Sequence, residues 1–331
     1  SRCRYCWCSS GTPSWDWNGK SSHMARIGVV GVGRVGSVMA AGLRAAGHQI
    51  VAVSGESPTS RQRIAAMLPG VPIDKPTAVA KSCDVLLLTV PDDMLGNVVS
   101  TLVGAGAIRE GQYVVHTSGR HGLAVLEPAA MIGARPVAMH PAMTFTGTTL
   151  DLPRLRGCIF GVTVAPTERA VVEEWVGQLG GLPMFVPESK RTLYHASLAH
   201  SANHLVTLVA QAMEMLSAAG ADDPAATLRP LLTAALDNAL AQGDAALTGP
   251  IVRGDLNTVR AHLSVIAADS PTTLPSYVAL AKATADRAVV DGRLLPIRRN
   301  RIVALLDEAL VGDPAMLMPP STTAVMTSIS K

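Results

Sequence analysis

Apolar and polar positions alternate along this chain in two regimes. Up to about residue 187, short apolar runs recur between glycine-rich turns and amphipathic stretches. Ile27–Val30, Gln49–Val53, Asp84–Val90, Gln112–His116, Arg135–Met139, Cys158–Val164 and Pro183–Val186 read as strands. Asp84–Val90 (DVLLLTV) is continuously apolar, as expected for a strand covered on both faces. Helical spacing follows the first run at Ser37–Ala46 and returns at Thr167–Leu179. From Lys190 to Gly312 the chain is rich in Ala and Leu with few strand signals. Leu193–Ala219, Ala225–Gln242, Leu256–Ala268, Ser276–Val290 and Pro296–Leu310 read as helices, separated by Gly/Pro/Ser turns. The pattern predicts an α/β domain over residues 24–187, an all-helical domain over 188–312 and a Pro/Ser/Thr/Met tail over 313–331.

The first apolar run leads into Gly31-Val32-Gly33-Arg34-Val35-Gly36, of the form G-x-G-x-x-G, and then into a helix. Strand, glycine turn and helix together predict a dinucleotide site. Gly31 permits the turn, Gly33 lets a pyrophosphate approach the backbone, and Gly36 lets helix and strand pack closely. The acid that selects NAD would stand at the end of the second strand, where this chain has Ser54. Glu56 follows, in a loop with Ser57, Ser60, Arg61 and Arg63. Serine hydroxyls with an arginine suit a 2′-phosphate, so NADP is preferred to NAD. The competing reading makes Arg61 and Arg63 the solvated start of a helix. Val90, Pro91, Ser118 and His140 stand at further strand ends, where ligands of doubly wound sheets lie. Asp92 or Asp93 would border the nicotinamide side or cap the next helix.

Three segments offer chemistry for a second reactant. Tyr194 and His195 precede His200 and Asn203 by a few residues. In a regular helix His195 and Asn203 lie about two turns, ~12 Å, apart. Such polar groups among Leu198, Leu205 and Val206 form either a site or satisfied interhelical hydrogen bonds. In Leu247–Asp255 (LTGPIVRGD), Arg253 is suited to grip a carboxylate or to pair with Asp255. Asp255 is suited to cap the helix carrying Thr258 and His262. His140, in His140-Pro141-Ala142-Met143-Thr144-Phe145, either approaches the cleft or orients its own loop. His116-Thr117-Ser118-Gly119 lacks the G-x-S-x-G form of a hydrolase elbow. No His/Cys/Asp/Glu set has convincing metal-site spacing, and Cys3-x-x-Cys6-x-Cys8, which could bind a metal, has no partner ligands.

Composition narrows the classes. The chain has 331 residues, 48% of them hydrophobic and 16% charged, with net charge +3 and 3% aromatics. That argues against a nucleic-acid binder. No apolar run is long enough to cross a membrane. Residues 1–23 hold three of the five Cys and three of the four Trp without periodicity, and Ser21-Ser22-His23-Met24 resembles a vector junction. They read as an expression-tag remnant. Cys83 and Cys158 then remain, as expected for a reducing cytoplasm.

RIGVVGVGRVG at Arg26–Gly36, HTSG at His116–Gly119, HPAMTF at His140–Phe145, LYHASLAHSANHLV at Leu193–Val206 and LTGPIVRGDLNTVRAHL at Leu247–Leu263 resemble, in order, the family joining a Rossmann-like domain to a DUF2520 domain. It is related to F420-dependent NADP reductases, pyrroline-5-carboxylate reductases and 6-phosphogluconate dehydrogenase-like proteins. The resemblance implies an N-terminal Rossmann doubly wound, mostly parallel sheet followed by an all-α C-terminal domain. Some members are ketopantoate reductases of the PanG type, which use NADPH to make pantoate for coenzyme A. The implied substrate is a small keto acid, most specifically 2-dehydropantoate. Imine reduction, exchange with F420 and a non-catalytic dinucleotide sensor are the alternatives. The wider superfamily uses a helix lysine four residues before an asparagine. Asn203 fits the asparagine, but Ala199 stands at the lysine's place. His195 or His200 is then the expected proton donor, with Tyr194 or Lys190 in reserve. A homodimer is expected from the apolar helical domain.

Overall fold

A computed structural model describes residues 24–311. The expectations for residues 1–23 and for 313–331 lie outside the described residues. The chain forms two compact units, one running through Ala199 and the other beginning at His200.

All seven predicted strands form, as β1 (Arg26–Val30), β2 (Gln49–Ser54), β3 (Val85–Leu88), β4 (Tyr113–His116), β5 (Arg135–Pro141), β6 (Ile159–Val164) and β7 (Leu182–Phe185). They build one sheet in the order β2-β1-β3-β4-β5-β6-β7. β1 to β5 are parallel, β6 runs antiparallel to β5, and β7 is parallel to β6. The sheet is therefore mostly parallel, as expected, with a reversed pair at one edge.

Helices α1 (Arg34–Ala45), α2 (Pro58–Met67), α3 (Pro76–Lys81), α4 (Asp92–Gly104), α5 (Glu127–Met131) and α6 (Arg169–Gln178) connect the strands, and α7 (Arg191–Leu198) follows β7. The burial of β3 explains its uninterrupted apolar run. Val85 and Leu87 join the core containing Met39, Phe160 and Trp175, while Leu86 and Leu88 join the one containing Leu95, Val99 and Leu126. Successive side chains leave opposite faces of a strand, so a sheet covered on both faces needs apolar residues at every position. Each such fully buried Leu contributes ~2 kcal/mol.

The predicted helix over Leu193–Ala219 is not unbroken. After α7 comes a π-helical turn, Ala199–Asn203, and then α8 (His204–Ala218). The second unit continues with α9 (Pro224–Gln242), α10 (Pro250–Arg253), α11 (Leu256–Asp269), α12 (Leu274–Val290) and α13 (Pro296–Val311). Its core comes from α10 to α13, with Val259, Leu263, Ala285, Ile302 and Leu306 fully enclosed. No residue of α8 is buried, and only Leu228 of α9 is. No helix among the described residues is long and apolar enough to cross a membrane.

Candidate functional site

The glycine turn stands at the carboxyl end of β1. Gly31 has φ +92°, and the amides of Gly31 and Val32 both donate to the Ser54 carbonyl at the end of β2, at 3.1 and 3.2 Å. A Cβ on Gly36 would overlap Thr89 Oγ1, which itself donates to the Gly31 carbonyl, so only glycine allows α1 to pack here. A Cβ on Gly33 would meet nothing within 4 Å. Gly33 is also the N-cap of α1, and no side chain caps that helix. The unpaired first-turn amides of Arg34, Val35 and Gly36, beside open space, are suited to hold a pyrophosphate.

Ser54 is buried at 6% exposure and Arg61 is exposed on α2. Ser57 caps α2 by accepting from the Ser60 amide at 3.1 Å. Arg63, rather than Arg61, lies against the loop after β5, where Gly147 is flanked by both Arg34 and Arg63. The Asp151 carboxylate, fully buried, fixes that loop by accepting from the Thr146 and Gly147 amides at 2.7 and 2.8 Å. Burial would raise its pKa, but these hydrogen bonds outweigh it and hold it low. Val90 and Pro91 follow β3, with Val90 against Gly31. Asp92 and Asp93 occupy the first turn of α4 without capping it through a side chain, and Asp92 pairs with Arg120 at 3.7 Å.

The ends of β4 and β5 carry a buried polar cluster. His116 is fully buried. Its Nδ1 accepts from the Ser118 amide at 3.1 Å, so its Nε2–H donates to the Gly122 carbonyl at 2.7 Å. Desolvation pushes its pKa down to about 4. His140 Nδ1 meets the Tyr194 hydroxyl at 2.9 Å, and its ring stands edge-on to His195 with centroids 6.3 Å apart. Desolvation, aided by the nearby Arg191 charge, brings His140 to about 4 as well. Burial raises the Tyr194 pKa, so its phenol stays protonated beside His140. A Cβ on Gly119 would lie 2.5 Å from His195 Cδ2 and 3.1 Å from His140 Nε2, so the bare backbone there is what admits both rings.

Arg191 holds this cluster together. Only 1% exposed, it donates from Nε to the His121 carbonyl at 3.0 Å, from Nη1 to the Gly161 carbonyl at 2.8 Å, and from Nη2 to the Ser118 carbonyl at 2.6 Å. One side chain thus ties α7 to β6 and to the loop after β4. Glu188 secures the other end of that loop by accepting from the Leu123 and Ala124 amides at 2.7 and 3.2 Å. Arg191, Glu188 and the His140–Tyr194 pair were not read from the sequence. The available signal was the i,i+3 spacing of Arg191 and Tyr194, which puts both on one helix face.

The remaining predicted residues belong to the second unit. His200 and Asn203 are exposed on the π-helical turn, and His200 Nδ1 meets His204 Nδ1 at 3.0 Å. The two-turn spacing expected between His195 and Asn203 assumed 3.6 residues per turn, which the π-helical segment breaks. Arg253 is exposed at the end of α10 and forms no ion pair with Asp255 among the described residues. Asp255 does cap α11, accepting from the Thr258 amide at 3.1 Å and from Thr258 Oγ1 at 2.6 Å. No group of three or more His, Cys, Asp or Glu suited to a metal occurs among the described residues.

Comparisons with known proteins agree with this architecture. A Rossmann-like domain model matches residues 16–141, and a domain of unknown function, DUF2520, matches 158–284. The two matches follow one another along the chain, and the DUF2520 match takes in β6, β7 and α7. No curated protein matches the sequence. A Bacteroides fragilis protein named as an NADP oxidoreductase is similar in structure, with TM-score 0.68 and 20% identity over 80% of this chain and 98% of that one. An imine reductase from Pseudomonas sp. gives 0.55 and 16% over 89% and 98%. The Plasmodium falciparum pyrroline carboxylate reductase, solved with NADP bound, gives 0.51 and 14% over 85% and 98%. The chain shares its fold with these three proteins.

Proposed function

We propose that this chain is an NADPH-dependent reductase of a small 2-keto acid, with 2-dehydropantoate giving pantoate as the leading substrate. One observation carries the reading. The glycine turn and the His116–His140–Tyr194 cluster both stand at the carboxyl ends of parallel strands, the edge at which doubly wound sheets bind ligands.

NADP is the proposed cofactor. Gly31, Gly33, Arg34, Val35 and Gly36 would hold its pyrophosphate. Ser54 and Arg61, with Arg63 beside Arg34, would face the 2′-phosphate, and Val90, Pro91, Ser118 and His140 the nicotinamide half. The reduced nicotinamide supplies the hydride. As the keto carbon is reduced, the carbonyl electron pair would pass to oxygen, and His195 would give its proton to that oxygen. His140, kept neutral by burial, and Tyr194 position the His195 ring. His200 and Asn203 on the carbonyl and Arg253 on the carboxylate are the substrate contacts proposed from the helical unit. The proposed location is the cytoplasm and the proposed domain boundary is 187/188. A homodimer is proposed because α8 and α9 expose Val206, Leu231, Leu236 and Leu240 at 51–79%.

Mixing the protein with NADPH and 2-dehydropantoate should oxidise the nicotinamide, read by its absorbance. His195→Gln should cut kcat ~10²–10⁴-fold with KM for NADPH unchanged. A folded, NADPH-binding protein without turnover above buffer would sink the reading. The second reading, reduction of an imine, is favoured by neighbours named for that chemistry, though only by analogy of fold. Turnover of a cyclic imine instead of the keto acid would select it. Exchange with F420 predicts NADP-dependent oxidation of reduced F420. A dinucleotide sensor would bind NADPH and turn over nothing.

A further inference from the structure

Within the helical unit, α8, Thr248, the start of α10, α11 and α12 line an open cavity of about 320 Å³. Leu208, Met215 and Ile251 give it apolar walls, and no Asp, Glu, Lys or Arg lines it. Four of its polar groups form two pairs, beside Thr248, Thr273 and Thr284. Ser276 Oγ donates to Gln211 Oε1 at 2.8 Å, and His262 Nδ1 meets the Tyr277 hydroxyl at 2.9 Å. Each pair leaves capacity over. The Gln211 amide nitrogen keeps two N–H donors, and His262 keeps Nε2. The larger cavity of about 640 Å³ beside β6 and β7 is lined by charged groups instead. There Glu188 is committed to the Leu123 and Ala124 amides, and Arg169 lies over the Phe185 ring at 4.6 Å.

We propose that the helical-unit cavity is a binding site for a small uncharged molecule with a branched aliphatic body and one or two hydroxyl or carbonyl oxygens. The apolar walls take the hydrocarbon part, and Gln211 and His262 take the oxygens. A carboxylate would find no Lys or Arg among the lining residues to offset the water it loses there, which is costly. The volume is at the small end of ligand pockets, about 300–1,000 Å³. This site is separate from the reductase reading and does not require it.

Two matched pairs of probes test the charge rule on the full chain at pH 8 without NADPH. They are pantolactone against pantoate, and 4-methyl-2-pentanol against 4-methylpentanoate, followed by saturation-transfer NMR and titration. The neutral member of each pair should bind at least about ten-fold more tightly. Ala212→Phe, which places a ring in the cavity, should weaken neutral binding about ten-fold or more. Tyr277→Phe, which keeps the shape but releases His262 from its 2.9 Å hydrogen bond, should weaken it less and lower the melting temperature only slightly. Should Ala212→Phe fail to fold, Tyr277→Phe decides. The proposal is overturned if no neutral probe binds, if the carboxylates bind equally well, or if a folded variant binds as the parent does. Binding without NADPH and turnover with it are separate readouts, so either can fail alone.

Discussion

The two units bury different things. The sheet unit encloses Ser54, Gln112, His116, Ser118, Asp151 and Arg191 along with its apolar core, whereas Thr273 is the only fully buried polar residue of the helical unit among the described residues. Charged groups in the helical unit pair near its surface, as in Arg287–Asp244 and Arg299–Asp286, both at 2.7 Å. A buried polar group must be hydrogen-bonded in one geometry, so it fixes its neighbours as well as itself. The sheet unit thus spends stability-sensitive contacts on holding a loop and two imidazoles in place. The helical unit is held by apolar packing of α10 to α13 and leaves α8 and α9 poorly covered.

The sharpest way to break this contrast is Arg191→Met. Removing the guanidinium leaves the Ser118, His121 and Gly161 carbonyls without their donor, and each buried orphan costs ~1–3 kcal/mol. The sheet unit should be destabilised by about 3–5 kcal/mol in denaturant melts, while hydrogen exchange within α12 and α13 stays at parental rates. Equal loss in both units would mean that the guanidinium does more than tie the first one.

A smaller effect is expected from acid. His116 and His140 titrate near 4 in the folded protein, against ~6.5 unfolded. The unfolded chain therefore takes up protons first as pH falls. Stability from this source is fully present above pH ~6.5, declines toward pH 4 and falls no further below it, with His116 alone worth ~3 kcal/mol. His116→Gln should flatten that part of the stability–pH curve. A curve of parental steepness would show that the imidazole is not held neutral by burial.

The least effect on folding belongs to Leu236→Glu with Leu240→Glu on α9, which are 51% and 79% exposed. If a second copy covers this face, sedimentation should show the dimer weakened at least about ten-fold while the helical content is unchanged. An unchanged oligomeric state would leave α9 as a surface helix.

Much of the fold was legible because its signals are local. The DVLLLTV run marks a strand buried on both sides, the turn at Gly31–Gly36 marks a strand-to-helix crossing, and Asp255 three residues before Thr258 marks a helix start. The candidate site was legible only in part. His140 and His195 could be named, but their meeting depends on Gly119, and the His140–Tyr194 bond joins residues 54 positions apart. The Arg191–Ser118 bond spans 73 positions.

The sequence by itself determined which segments become strands and helices, where the glycine turn lies and which residue types stand at strand ends. These follow from side-chain periodicity and backbone sterics acting over a few residues. Only the tertiary structure decided that β6 and β7 reverse against the parallel set, that a π-helical turn breaks the helix expected over Leu193–Ala219, and that an arginine beside Tyr194 is wholly buried. An arginine at the start of a helix is ordinarily a solvated one. Arg191 is enclosed because carbonyls from the loop after β4 and from β6 converge on it, and that convergence exists only once the strands have paired.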